Sequence, residues 1–120
     1  MGKFVVKEVS SGYKFNLLAS NGQVVATSEV YESLAACKNG VESVATCAPN
    51  ANLADLTQGG EAVNPKFELY EDKAGQFRFR LKARNGQIIA VSEGYKTKAA
   101  CENGIESVRK NAAPAEVVEE

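Results

Sequence analysis

The chain is written twice: Tyr13 to Ala48 and Phe77 to Ala112 align without a gap at a constant offset of 64 residues. Roughly half of the aligned positions are identical, and the rest are mostly conservative, as with Val24 and Ile88 or Val41 and Ile105. Such long self-similarity means two copies of one supersecondary unit. A unit of about 50 residues lies near the lower limit for folding alone. The two copies are therefore expected to share one core, giving a single pseudo-symmetric domain over residues 1–120, with repeat 1 at 3–57 and repeat 2 at 66–120.

Within each copy the hydrophobic period changes once. Phe77, Phe79, Leu81 and Ala83 alternate with Arg78, Arg80, Lys82 and Arg84, the pattern of a half-buried strand. Tyr13, Phe15, Leu17 and Ala19 repeat it. Each strand runs into Asn-Gly (Asn21-Gly22, Asn85-Gly86), which predicts a two-residue type I′ hairpin. That closure pairs Ala83 with Ile88, Leu81 with Ala90 and Phe79 with Ser92 on one face, and Arg80 with Val91 and Lys82 with Ile89 on the other. Upstream, Phe4 to Lys7 and Phe67 to Tyr70 read as first strands.

Past the third strand, Cys37, Val41, Val44 and Ala48, like Cys101, Ile105, Val108 and Ala112, fall on one helical stripe, with Ser33 and Thr97 as N-caps. Gly40 and Gly104 recur inside these helices at a cost of about 1 kcal/mol against alanine, which calls for a close approach to the sheet or a kink. A proline region follows each helix. Fourth strands are expected over Ala51 to Leu56 and Ala115 to Glu120, and residues 57–65 form the linker.

The run Asn85-Gly86-Gln87-Ile88-Ile89-Ala90, Ser92-Glu93-Gly94-Tyr95 and Ala99 to Val108, echoed by Asn21-Gly22-Gln23, Ser28-Glu29, Tyr31 and Asn39 to Val44, resembles the YegP-like family of small bacterial proteins of unknown function. The resemblance implies a β-β-β-α-β unit, in tandem or as two chains, building one sheet whose last strands are exchanged between units. It supplies no reaction, ligand or catalytic residue. Together with the periodicity it gives an α+β fold: two such repeats, a single mainly antiparallel sheet, and two helices on one face. Val30 stands where the second copy has Gly94, so the strand-to-helix turn is expected to differ between copies.

No constellation of residues specifies a reaction. The chain has no histidine, which removes the commonest general base and transition-metal ligand, and no cofactor is expected. Its net charge of -1 gives no bulk reason to bind nucleic acid or an anionic membrane. The apolar runs are far shorter than a bilayer span, and Met-Gly-Lys-Phe-Val-Val has no leader-like stretch, so a cytoplasmic location is expected.

Three candidate sites remain. The first is the outward face of the sheet, with apolar Leu18, Val25, Ile89 and Val91 beside Arg78, Arg80, Lys82 and Arg84. It reads as a non-enzymatic binding or structural surface for a protein partner, on a monomer built from two repeats. The second treats Arg78, Arg80, Lys82 and Arg84 as a phosphate-tracking stripe. A solvated face paired to Glu68 and Glu93 outweighs it, because the aromatics sit on the other side and the first copy offers only Lys14, Asn16, Leu18 and Ser20. The third is thiol chemistry at Cys37 and Cys101, which their place on the apolar stripe disfavours. The doubled Asn-Gly-x-Glu-Ser segments (Asn39 to Ser43, Asn103 to Ser107) read as helix-to-loop bonding rather than a pocket.

Overall fold

Alternating apolar residues and helical stripes assemble as their periods require. The computed structural model describes residues 2–112 and 116–119. Repeat 1 supplies β1 (Lys3–Val9), β2 (Gly12–Leu18), β3 (Val24–Thr27), α1 (Leu34–Cys47) and β4 (Asn52–Asp55); repeat 2 supplies β5 (Lys66–Glu71), β6 (Phe77–Lys82), β7 (Ile88–Val91), α2 (Lys98–Ala112) and β8 (Glu116–Glu119). Ala115 and Glu120, expected in the last strand, and Pro114 lie outside the described residues.

All eight strands form one sheet in the order β4-β5-β6-β7-β3-β2-β1-β8. Of the seven neighbouring pairs, the four hairpin pairs and the seam between copies are antiparallel, while β4 runs parallel to β5 and β8 parallel to β1. The last strand of each repeat thus belongs to the sheet of the other. The repeats meet at the centre, where β3 and β7 pair only through Thr27 and Val91.

One face of the sheet packs against both helices. Phe4, Phe15 and Leu17 from repeat 1 and Phe67, Phe79 and Leu81 from repeat 2 join the helix residues Cys37, Val41, Val44, Cys101, Ile105 and Val108 in one buried cluster. The rings repeat as well: Phe4 meets Phe15 edge-on at 5.6 Å and Phe15 stacks on Tyr31 at 6.2 Å, while Phe67 meets Phe79 edge-on at 5.8 Å and Phe79 stacks on Tyr95 at 6.4 Å. The caps are as the sequence indicates. Ala36 N donates to Ser33 Oγ at 3.1 Å and Ala100 N to Thr97 Oγ1 at 3.1 Å.

The helical glycines are explained by these rings. A Cβ on Gly40 would run into the Tyr31 hydroxyl and lie 3.2 Å from Phe15, and one on Gly104 would meet the Tyr95 hydroxyl and lie 3.1 Å from Phe79. Each tyrosine is pinned from its backbone too, since Tyr31 and Tyr13, like Tyr95 and Phe77, exchange both main-chain hydrogen bonds. The glycine admits the ring, and the ring holds the strand-to-helix turn.

That turn does not differ between copies, contrary to expectation. The Val30 to Gly94 change is matched beneath it by Gly12 to Gln76. A side chain on Gly12 would press on Val30, and one on Gly94 would press on Gln76. Bulk has moved from one strand to its neighbour, and the same Tyr-anchored bridge forms in both copies.

The hairpin is the second correction. Asn21 and Asn85 keep negative φ, as no described residue other than glycine has positive φ, while Gly22 and Gly86 sit at 85° and 84°. Gly22 N donates to Ala19 O and Ala19 N to Gln23 O, so the loop holds three residues and closes on a left-handed glycine. The Asn21 side-chain oxygen accepts from Gln23 N at 3.0 Å and braces that geometry, as Asn85 does with Gln87. The longer loop shifts the register by one, and a bulge restores it. Lys82 faces Ile88 rather than Ile89, and Leu81 again faces Ala90.

Candidate functional site

With both helices on one side, the opposite face of the sheet has no helix packed on it among the described residues. One register row crosses it through all eight strands: Ala54, Glu68, Arg80, Val91, Thr27, Asn16, Val5 and Val118. By the repeat, Glu68 corresponds to Val5, Arg80 to Asn16 and Val91 to Thr27, so the two halves of the row share a backbone and differ in chemistry.

The repeat 2 half is built on Glu68, which is 5% exposed. β-pairing puts Arg80 opposite it, and the next row brings Lys66 opposite Lys82. Arg80 Nε donates to Glu68 Oε1 at 2.6 Å, Lys82 Nζ lies 3.3 Å from the same oxygen, and Lys66 Nζ lies 3.3 Å from Oε2. Burial alone would raise the Glu68 pKa. The hydrogen bonds from Arg80 and Lys82, with the Arg80 charge, outweigh it and hold the carboxyl below its ordinary value. The Arg80 guanidinium also lies over the Tyr70 ring at 4.7 Å.

The repeat 1 half of this row carries no charge, while the rows on either side of it place Lys3 opposite Leu18 and Lys7 opposite Lys14. Thr27 Oγ1 donates to Asn16 Oδ1 at 3.0 Å, and Leu18 pairs with Val24, which is 40% exposed. Val91 and Ile88 continue this aliphatic area across the seam toward Lys82.

The structure redistributes several residues read from the sequence. Leu18, Arg78, Arg80, Lys82 and Val91 lie on the outward face, but Ile89 does not: as the extra residue of the bulge it turns into the core and is 7% exposed. Val25, its counterpart, is partly buried against the same core. Val24 and Ile88 take their places. Arg84 also leaves the stripe, because the strand ends at Lys82; it lies in the turn and lines an open cleft of about 600 Å³ with Asn39, Glu42, Ser43 and Thr46 of α1. The first Asn-Gly-x-Glu-Ser segment therefore does face a cleft on the helix side.

Arg78 pairs with Asp72 at 2.6 Å rather than with Glu93. Asp72 Oδ1 also accepts from Ala74 N and Gln76 N, and these bonds, led by that from Arg78, lower its pKa. The Asp-x-x-Gly spacing of Asp72 and Gly75 marked this turn in the sequence. Nothing comparable marked Lys66, whose position follows from pairing register alone.

The thiols are packed away. Cys37 and Cys101 are fully buried, burial raises both pKa values, and that of Cys101, raised further by Glu102 and Asp55, is pushed up to about 11. A thiolate is disfavoured at both positions at neutral pH. No helix among the described residues is long and apolar enough to cross a membrane.

Residues 9–55 and 72–119 match the family model DUF1508, a domain of unknown function. The chain is 40% identical over 112 residues to the UPF0339 protein YegP of Yersinia pestis, covering 92% of this chain and 88% of that one. A UPF0339 protein of Treponema denticola is 67% identical over 54 residues, which span 45% of this chain but 93% of that protein, so one repeat accounts for nearly all of it. The solution structure of YegP from E. coli, described as a protein of unknown function, superposes with a TM-score of 0.81 at 32% identity, covering 99% of this chain and 92% of that one. Two family matches in one chain, one in each half of a sheet with exchanged last strands, place this protein in the DUF1508 family as a member built from two copies of the domain.

Proposed function

We propose that the protein is a non-enzymatic binding module and that its contact surface is the outward face of the sheet around Leu18, Val24, Arg80, Lys82, Ile88 and Val91. The observation that carries this reading is the contrast between the two faces. Residues common to both repeats fill the helix-covered core, the caps and the hairpins, whereas Glu68, Arg80 and Lys82 against Val5, Asn16 and Leu18 differ on the other side. Repeated residues are accounted for by folding; the outward face is where the strands of the two copies part, while their helices part at positions such as Leu34 and Lys98, Lys38 and Glu102, and Ala45 and Arg109.

Aliphatic side chains in the middle of a sheet, with ion-paired cations beside them, suit association with another macromolecule. The test is affinity capture from the native cell extract with wild type and with the L18E/V91E double variant, each first checked for an unchanged circular dichroism spectrum and melting transition. A partner retained by the wild type and lost by the variant is the expected outcome. Equal retention by both would remove this face from consideration.

A further inference from the structure

Resting on that reading, we infer that the partner of the outward face is an acidic segment of another protein. Three cations, Lys66, Arg80 and Lys82, surround the single carboxylate of Glu68, which leaves a surplus of two positive charges in a chain whose net charge is -1. The lysines touch Glu68 at only 3.3 Å. Each ammonium has three donors, so both can take an incoming carboxylate while keeping their present contact. Arg80 uses its Nε on Glu68, leaving its terminal nitrogens to donate elsewhere.

The chemistry next to the cations narrows the partner further. Thr27 Oγ1 donates to Asn16 Oδ1, which leaves the Asn16 amide nitrogen to donate to a carboxylate or carbonyl of the partner, and Val91, Ile88, Leu18 and Val24 offer aliphatic contacts. A partner segment therefore carries carboxylates for the Lys66 and Lys82 end and apolar side chains for the Val91 and Leu18 end.

Two other occupants fit worse. Nucleic acid wants exposed rings for stacking, but Phe4, Phe15, Phe67 and Phe79 all lie in the core and Tyr70 is capped by Arg80. A second copy brings the same surplus of positive charge around its own Glu68, and the acidic residue that β8 adds to this face, Glu116, lies opposite Lys3 at the far edge of the sheet.

The experiment introduces p-benzoylphenylalanine at Val91, and separately at Leu18, in the full chain within its native cell. The Thr46 position in the cleft on the helix side serves as control, and photo-crosslinked products are sequenced by mass spectrometry. The expected result is a crosslink from Val91 or Leu18 to a protein segment of net negative charge. A synthetic peptide of that segment should bind the purified protein, with affinity that falls as salt rises and that drops at least tenfold in the K66E/K82E variant. Crosslinks from the outward face to a neutral or basic segment, to nucleic acid or to a second copy would overturn the acidic partner while leaving this face as the contact surface. Crosslinks only from Thr46, or none at any position, would overturn both.

Discussion

Gly40 and Gly104 show how one hydrogen atom in place of a methyl group decides a packing arrangement. Alanine is the better helix former by about 1 kcal/mol, yet its Cβ at position 40 would collide with Tyr31, itself stacked on Phe15 and tied to Tyr13. Gly40→Ala should therefore destabilise the protein by a net of about 1 to 2 kcal/mol in urea unfolding. In the G40A/Y31F double variant part of that loss should return, because the nearest atom is the tyrosine hydroxyl. Glu68 is the second single residue on which much depends. Its folded pKa is lowered, so its contribution is complete above the ordinary glutamate value of 4.5 and is lost as the pH falls below that, through the folded value. Glu68→Gln should cost about 2 kcal/mol at neutral pH. The gap between variant and wild type should close as unfolding is measured at successively lower pH below 4.5; a gap that persists unchanged into strong acid would mean that the carboxylate charge is not what holds Lys66, Arg80 and Lys82.

Among the elements, helices and their caps were legible from spacing because the 3.6-residue stripe, Ser33 and Thr97 all agree, and each lies where the structure needs it. The hairpins were legible only in part. Asn-Gly suits both a two-residue loop and a three-residue loop closed by a left-handed glycine, and the two differ by one residue. With a period of two, that one residue reverses which side chains face outward. The bulge confines the reversal to the strand start, which is why Leu81 with Ala90 and Arg80 with Val91 pair as the sequence indicates while Ile88 and Ile89 trade places. Ile89→Gln should accordingly cost about 3 kcal/mol, and Ile88→Gln less than about 1. Comparing their urea midpoints checks the bulge directly. The charged part of the candidate site was legible through strand alternation at Arg80, Lys82 and Glu68, whereas Lys66 and the departure of Arg84 required knowing where β5 starts and β6 ends.

At the scale of the whole molecule, β4 and β8 tie the repeats together, since each lies on the sheet edge of the other copy. Four residues with weak alternation do not say which copy they will join; the pairing depends on where α1 and α2 deliver the chain, and only the family resemblance implied it. Cutting the chain in its linker, between Gly59 and Gly60, should leave fragments 1–59 and 60–120 associated, because each carries a strand seated in the other. Co-expressed fragments should elute as one complex with a single cooperative unfolding transition, and neither fragment alone should show one. Separate elution of two folded halves would contradict the shared sheet.

The exchange of last strands also sets an order of events during synthesis. Lys3 of β1 is made more than a hundred residues before its neighbour on the open side, Glu116 of β8. Until repeat 2 is made, repeat 1 lacks its share of the common core as well as the β8 partner of its outer strand, so its outer backbone groups wait for the second repeat. Until then a newly made first half presents the same unpaired strand edge to every other nascent copy. The tandem arrangement keeps the correct strand covalently attached, so local concentration favours completion within one chain over pairing between chains.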